Sequence, residues 1–264
     1  MKQRKISKTN VVNFSTYLGM VIFFLVMTAL SKAGVLNRSM TGLLVPICCY
    51  MSMAVSLNLT VGILGELSLG HAGFMSVGAF AGVIASQSLL DVVPSAGLRL
   101  TIAMIVGALF ATIAGFIVGA PVLRLQGDYL AIVTLAFGEI VKNVMNACYL
   151  GLDSRGLHFS LKDSASLNLE ADGKVLINGA MGITGIKKAS TFTIGIVLVI
   201  ITLLVILNLV NSRAGRAITA IRDNEIAARS VGIPITKYKL MAFVTSAVFA
   251  GVAGVLYALN YSSL

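Results

Sequence analysis

The sequence predicts an all-α protein folded as a bundle of about seven membrane-spanning helices. Of its 264 residues, 57% are hydrophobic and only 11% are charged. The mean hydropathy of +0.94 is far above that of soluble globular domains. A helix needs about 20 apolar residues to cross roughly 30 Å of hydrocarbon, and the chain has room for seven such segments. We therefore expect residues 1–264 to form a single polytopic membrane domain.

The net charge of +10 lies mainly in connectors and at the ends of the apolar segments. In a soluble protein this charge would indicate nucleic acid, but here it indicates anionic lipid headgroups and cytoplasmic partners. Residues 1–16 contain four Lys/Arg residues and precede the apolar segment 17–30. Because Ser31-Lys32-Ala33 is a poor signal-peptidase site, we expect a retained first span with a cytoplasmic N-terminus.

A glycine-rich stretch separates the second span, residues 41–64, from the third span, residues 72–90. Each glycine costs about 1 kcal/mol relative to alanine inside a helix, so we expect the helix to break between Gly65 and His71. Irregular backbone at membrane depth is tolerated only beside protein or water. The polar residues here either line a translocation path or, for Glu66 and His71, cap helix ends at the membrane surface. The path candidates are Asn58 in the second span and Glu66, Ser68 and His71 in the glycine-rich stretch.

The fourth and fifth spans are predicted at residues 100–120 and 129–150, and the fifth contains a charged pair. Glu139 and Lys142 lie three residues apart, so they share one helical face and can pair. Charged groups within spans usually face the bundle interior or an aqueous cavity, which makes Glu139 a further path candidate. The alternative is a self-neutralising pair near the membrane surface.

The longest connector, residues 151–190, is predicted to be an outer loop. Five Lys/Arg and four Asp/Glu residues nearly balance its charge, and its composition is typical of turns, with a short surface element possible at residues 163–176. The sixth and seventh spans follow at residues 191–210 and 240–259. Small residues spaced four apart in the third, fourth and seventh spans predict close helix packing.

Residues 211–239 form the most polar segment between two spans. They contain six Lys/Arg against two Asp/Glu residues, so the segment cannot lie in hydrocarbon and is assigned to the cytoplasmic side. End signals predict a helix of about two turns, with Asp223 or Asn224 as N-cap and Gly232 with Pro234 as stop signals. Glu225 in its first turn is favoured by the helix dipole.

One side of this short helix is built of small residues. Ala228 and Gly232 lie four residues apart beside Ala227, so another protein could approach the backbone closely, with Glu225 meeting one of its polar or basic groups. A solvated connector is the alternative interpretation. The pattern Glu225-x-Ala227-Ala228-x3-Gly232 resembles the Glu-Ala-Ala-x3-Gly coupling helix of ABC importer permeases, which docks into the ATPase subunit. Here Ile226 separates the glutamate from the two alanines.

Three blocks together resemble the M-type permeases of branched-chain amino acid ABC importers. They are residues 56–80 (SLNLTVGILGELSLGHAGFMSVGAF), 123–141 (LRLQGDYLAIVTLAFGEIV) and 214–259. The resemblance implies a heterodimer with a second permease, two cytoplasmic ATP-binding subunits, and an extracytoplasmic binding protein that delivers Leu, Ile or Val. It places the chain in the bacterial cytoplasmic membrane. The residues it implies at the ATPase contact are Arg216, Glu225, Ala227, Ala228 and Gly232.

Permeases of this family usually continue through further spans to a polar tail, so we expect either that C-terminal spans are missing from this sequence or that this member is short. Catalytic motifs are absent as well: Gly173-Lys174 is not part of a Walker A pattern, and neither His-Glu-x-x-His nor Gly-x-Ser-x-Gly occurs. The three cysteines show no metal spacing and are interpreted as packing residues. We expect a non-catalytic transport subunit without cofactor, metal or nucleic-acid partner.

Two other functions are compatible with the sequence. One is an ATP-independent secondary transporter that uses Glu66, Glu139 or Asp128 as a proton relay. The other is a non-transporting scaffold within a membrane complex. Uptake that survives a protonophore but stops on ATP depletion would favour the ABC importer.

Overall fold

The computed structural model describes residues 8–90, 92–123, 129–153, 156–168 and 173–263. Asp128, one of the carboxylates considered for a proton relay, lies outside these residues. Within them the chain forms nine α-helices and a small sheet. The helices are α1 (Lys8–Lys32), α2 (Arg38–Asn58), α3 (His71–Ser88), α4 (Ala96–Val122), α5 (Tyr129–Ala147), α6 (Phe192–Asn211), α7 (Arg213–Asp223), α8 (Glu225–Ser230) and α9 (Ile235–Ala258).

Among the described residues, six helices are long and apolar enough to cross a membrane. They are α1, α2 with its extension to Leu64, α4, α5, α6 and α9. The seventh predicted span, α3, is less apolar because it contains His71, Gln87, several serines and several glycines. It nevertheless packs in the centre of the same bundle, against α4 and α9. The prediction of an all-α membrane bundle of about seven spans is confirmed.

Small residues bring α3, α4 and α9 close together. A Cβ atom on Gly78 of α3 would lie 2.3 Å from the carbonyl oxygen of Gly251 in α9. A Cβ atom on Gly251 would in turn lie 2.3 Å from Cβ of Ala111 in α4. Real Cβ atoms do not approach so closely, so the three helices touch through their backbones, as the spacing of small residues predicts.

The predicted break between the second and third spans is confirmed. Residues Leu59–Leu64 continue α2 as a π-helical turn, which ends at Gly65 with a φ of +83°. Glycine adopts this left-handed conformation without a steric penalty, which explains why the helix ends there. Residues 65–70, named the break segment below, are not helical, and α3 begins at His71.

The prediction that residues 151–190 are mainly loop is wrong over a large part of their length, because they contribute to a three-stranded antiparallel sheet. The strands are β1 (Tyr149–Asp153), β2 (Gly156–Ser160) and β3 (Lys174–Asn178), and their order in the sheet is β2-β1-β3. The fifth span accordingly ends at Ala147 rather than at residue 150. Buried Leu176 and Ile177 anchor β3 to the protein. Pairing between β1 and β3 connects distant residues, so local composition does not reveal it.

The sheet and the α7–α8 pair lie at opposite ends of the bundle, because α6 crosses the bundle between them. We call these the sheet end and the α7–α8 end. The sequence predicted one short helix within residues 211–239 and a span starting at residue 240. The structure instead has two helices there, and α9 starts at Ile235. Ile218 and Ile221 of α7 are buried, so this polar segment folds onto the bundle through an apolar side.

Candidate functional site

The short helix predicted from its end signals is α8. Asn224 is its N-cap, since Oδ1 accepts a hydrogen bond of 2.9 Å from the backbone amide of Ala227. Asp223, the other candidate for this position, pairs with Arg222, whose Nη2 lies 3.0 Å from Oδ1. Gly232 follows the helix with a φ of +83° and Pro234 precedes α9, so both stop signals are confirmed.

The two alanines of α8 lie on different sides of the helix. Ala228 is only 4% exposed and packs with Ile221 and Ile235. Ala227 and Gly232 are exposed, and no described atom lies within 4 Å of a Cβ on Gly232. The prediction that Ala228 is open to another protein is therefore wrong. The short α7–α8 pair needs an apolar contact with the bundle, and Ala228 provides it.

Sequence analysis missed the two large apolar side chains that α8 and the residues after it expose. Ile226 is 83% exposed and Val231 is 74% exposed. Ile226 precedes Ala228 by two residues, so it lies on nearly the opposite side of the helix. This spacing is the signal that could have identified Ile226 as exposed. Arg216 is exposed on α7. A partner protein is one kind of neighbour that would cover such exposed apolar side chains.

Glu225 is held by charged groups of its own chain. Its Oε2 lies 3.0 Å from Nζ of Lys239, and its Oε1 lies 3.1 Å from Nη2 of Arg229. The same Nζ of Lys239 lies 2.6 Å from Oε1 of Glu66 in the break segment. Lys239 belongs to the first turns of α9 and is only 6% exposed. We call Glu66, Glu225 and Lys239 the Lys239 cluster.

The Lys239 cluster joins three parts of the chain through charge-assisted hydrogen bonds. Such bonds are short and about twice as strong as neutral ones. A buried ammonium group is tolerated only when nearby carboxylates compensate its charge. Lys239 and Glu66 are separated by 173 residues, so sequence analysis did not pair them.

Arg222 forms a second link between the α7–α8 end and the break segment. Its Nη1 donates a hydrogen bond of 3.2 Å to the carbonyl oxygen of Gly62 in the π-helical turn. A Cβ atom on Gly65 would lie 2.6 Å from Cγ of Arg222, so the arginine packs directly on the backbone there. Buried Ile218 of α7 also packs with Leu59 and Leu64 of this turn.

The break segment brings together three of the path candidates. Glu66 belongs to the Lys239 cluster, and buried His71 has its Nε2 2.9 Å from Oγ of Ser56. Neither side chain caps a helix end. Ser68 is buried, and its Oγ has no hydrogen-bond partner among the described residues. Asn58 lies apart from this group, exposed at the end of α2.

The break segment also packs against α5. The backbone amide of Leu69 donates a hydrogen bond of 3.0 Å to Oγ1 of Thr134. A Cβ atom on Gly70 would lie 2.0 Å from the carbonyl oxygen of Thr134, so only glycine fits at this crossing. Displacement of the break segment would therefore displace α5 as well as α2 and α3.

The fifth path candidate, Glu139, lies outside this group. Its Oε2 is 3.4 Å from Nζ of Lys142, which confirms the pair predicted from their spacing. Both side chains are well exposed, at 60% for Glu139 and 64% for Lys142. The pair therefore lies on an outer side of α5 rather than inside the bundle of this chain.

The fold places the chain among polytopic membrane proteins with helical spans. Residues 39–264 match the family described as "Branched-chain amino acid transport system / permease component". This match covers most of the chain, so the protein belongs to that family.

Known relatives agree with this assignment. The chain is 36% identical over 219 residues to the high-affinity branched-chain amino acid transport system permease protein LivM of Salmonella typhimurium, and 35% identical over 219 residues to that of Escherichia coli. Each alignment covers 79% of this chain and 50% of the relative. A probable LivM of Methanocaldococcus jannaschii is 25% identical over 240 residues, which are 80% of this chain and 64% of that protein. The chain spans about half the length of the two bacterial relatives. No solved structure matches it.

Proposed function

We propose that this chain is a permease subunit of an ABC importer that carries branched-chain amino acids across the bacterial cytoplasmic membrane. Its partners are a second permease, two cytoplasmic ATP-binding subunits and an extracytoplasmic binding protein. Membership of the permease family supports the solute class. The observation that carries the proposal is the position of α8, which exposes Ile226, Ala227 and Gly232 while Glu225 is tied through Lys239 to the break segment.

Coupling then follows from the contacts of α8. When the ATP-binding subunits close, they move α8, and the Lys239 cluster passes this movement to Glu66. Hydrogen bonds of 2.6 and 3.0 Å weaken steeply when stretched, so the break segment follows α8 or the cluster separates. Either outcome changes the balance between two conformations of the bundle, which is how a distant nucleotide site can drive transport.

The break segment is the proposed gate. Its backbone is irregular, and Leu69 and Gly70 meet α5 at Thr134. Buried Ser68 belongs to the segment, buried His71 directly follows it, and Asn58 lies at the end of α2. A shift of the segment would carry Glu66, Ser68 and His71 with it, and we assign these three residues to the moving part of the path and Asn58 to its fixed part.

The variant Ile226→Asp tests the docking role of α8. Its side chain has few contacts within the chain, so folding should be unaffected, whereas a carboxylate should not fit an apolar docking groove. We expect normal amounts in the membrane, loss of the ATP-binding subunit on affinity purification, and at least about tenfold slower leucine uptake, equivalent to about 1.4 kcal/mol.

Val92→Asp is the matched control for this experiment. Val92 is 74% exposed and lies between α3 and α4, at the sheet end of the bundle. The Val92→Asp variant should still co-purify with the ATP-binding subunit and should take up leucine at the normal rate. Retention of both by Ile226→Asp as well would refute the docking role of α8.

A proton-driven secondary transporter has less support. Glu66 and Glu139 are both paired with lysines, at 2.6 and 3.4 Å, so neither is an unpaired carboxylate ready to carry a proton. Uptake measured with a protonophore and, separately, after ATP depletion separates the two mechanisms. Inhibition by the protonophore at constant ATP would favour the secondary transporter.

A further inference from the structure

One side of α5 carries a line of exposed polar residues from the centre of the helix to its end. Glu139 is the eleventh of the 19 residues of this helix, so it lies close to its centre. Lys142, Asn143 and Asn146 follow at spacings that place them on the same face, toward the sheet end. All four residues are exposed. We call them the α5 polar face.

The remaining surface of α5 differs from the polar face. Leu130, Ala131, Thr134 and Val141 are buried in the protein. Ile140 and Val144 are exposed and lie four residues apart, on an apolar side that is turned away from the polar face. Exposed Leu135 lies four residues before Glu139 on the same side as the polar face, so this side is apolar in the first half of α5 and polar from Glu139 onward.

Lipid is a poor neighbour for the α5 polar face. Insertion scales give about 2.5–3.5 kcal/mol for one charged residue at the centre of a spanning helix. The Glu139–Lys142 pair reduces this cost, but both side chains remain largely exposed, and the two asparagines add further polar groups. Water or polar protein groups must therefore border this side of the helix.

The α5 polar face ends beside a cavity of about 520 Å³, whose wall includes one of its four residues. Asn146 lines this cavity together with residues of α2, α3 and α9, and the turn at residues 179–182 closes it at the sheet end. Most of its wall is apolar, for example Met53, Met75 and Phe80, with the hydroxyl of Ser76 among them. Sites for small molecules have this size and this combination of apolar walls with a few polar groups.

We propose that the α5 polar face and this cavity form one wall of the solute path, which takes zwitterionic amino acids with an aliphatic side chain. Lys142 and Glu139 lie about one and two helical turns before Asn146, outside the cavity wall, and carry the two charges that complement the carboxylate and the ammonium group of a solute moving along α5. The apolar wall of the cavity accommodates its side chain. The identity of the solute rests on the proposed transport function. The location of the path rests on the exposed charges and the cavity.

Cysteine accessibility tests the proposal on the assembled transporter. Asn143→Cys and Asn146→Cys place a thiol on the polar face, and Ile140→Cys and Val144→Cys are controls at similar depth on the apolar side. A water-soluble, charged methanethiosulfonate reagent reacts only with thiols that water reaches. We expect it to modify the two polar-face cysteines at least about tenfold faster than the controls, equivalent to about 1.4 kcal/mol.

Solute protection identifies the class of ligand. Millimolar L-leucine should slow modification of Asn146→Cys, and the uncharged polyol xylitol should not. Slow modification of all four cysteines, or equal rates at all four, would overturn the assignment of the path. Fast modification of the polar face with no effect of leucine would overturn the assignment of the solute.

Failure of this proposal is distinguishable from failure of the coupling role. Modification is measured without ATP, so it does not depend on docking of α8. If Ile226→Asp still binds the ATP-binding subunit and takes up leucine normally, the polar-face cysteines of α5 can still be modified and protected by leucine. Conversely, loss of docking in Ile226→Asp with an unlabelled α5 would leave the coupling role intact and exclude this path.

Discussion

Lys239 lies almost entirely inside the protein although its side chain ends in an ammonium group. Sequence analysis placed it in a polar connector and assigned Glu225 to an external partner. The structure instead pairs the two residues within one chain and adds Glu66. The charges of these residues were visible in the sequence, but their pairing depends on how distant segments meet.

Replacement of Lys239 by methionine should destabilise the α7–α8 end. Two carboxylates then lose their shared counter-ion in a partly buried site, at a cost of about 2–4 kcal/mol. We expect Lys239→Met to lower the unfolding temperature in detergent by several degrees, measured by thermal-shift size-exclusion chromatography. Lys239→Arg should recover part of the loss, because its charge is retained.

Lys142→Met is the matched control for stability, since Lys142 also pairs with a glutamate. That pair is largely exposed, and such pairs contribute about 0–1 kcal/mol. It should leave the unfolding temperature almost unchanged. Equal unfolding temperatures for Lys239→Met and Lys142→Met would contradict a stabilising role for the Lys239 cluster.

The contact between α3 and α9 depends on glycine at the crossing. Valine at residue 78 would place its Cβ 2.3 Å from the carbonyl oxygen of Gly251, so the helices would have to separate. Overpacking of this kind costs about 1–3 kcal/mol or more. We expect Gly78→Val to lower the folded yield and the unfolding temperature.

Gly97→Val provides the comparison for this contact. Gly97 lies at the start of α4, and a Cβ there has no described neighbour within 4 Å. Its effect should stay within about 1 kcal/mol, the range of helix propensity. An equally mild effect of Gly78→Val would show that α3 and α9 do not touch as closely as described.

Elements with local signals were predicted and elements with long-range contacts were not. The boundaries of α8 follow from Asn224, Gly232 and Pro234, which act on their immediate neighbours. The break at Gly65 likewise follows from glycine chemistry. The sheet and α7 were missed, because β1 pairs with β3 across many residues and α7 gains its stability from packing of Ile218 on the bundle.

Membrane topology is the prediction that concerns the whole molecule. We expect the α7–α8 end to face the cytoplasm and the sheet end to face outward. A membrane-impermeant maleimide added to intact cells should label Leu161→Cys, between β2 and β3, and should label Ser230→Cys only after permeabilisation. Labelling of Ser230→Cys from outside would invert the topology and remove α8 from contact with ATP-binding subunits.

The native cysteines keep the background of these labelling experiments low. Cys48 and Cys49 are buried in α2, and Cys148 is buried just after α5. Burial raises the pKa of the Cys148 thiol, so it forms the reactive thiolate less readily at neutral pH. Their assignment as packing residues agrees with this burial.

Helix α9 is long and apolar enough to cross a membrane, and it runs from the α7–α8 end toward the sheet end of the bundle. Lys239 lies near its start, and Tyr257, which lines the cavity under the turn at residues 179–182, lies near its end. Eighteen residues separate the two, which is about 27 Å along one rigid rod. In the proposed transporter, a push on α9 beside α8 would thus reach the cavity along a single helix, with no intermediate element needed to carry it.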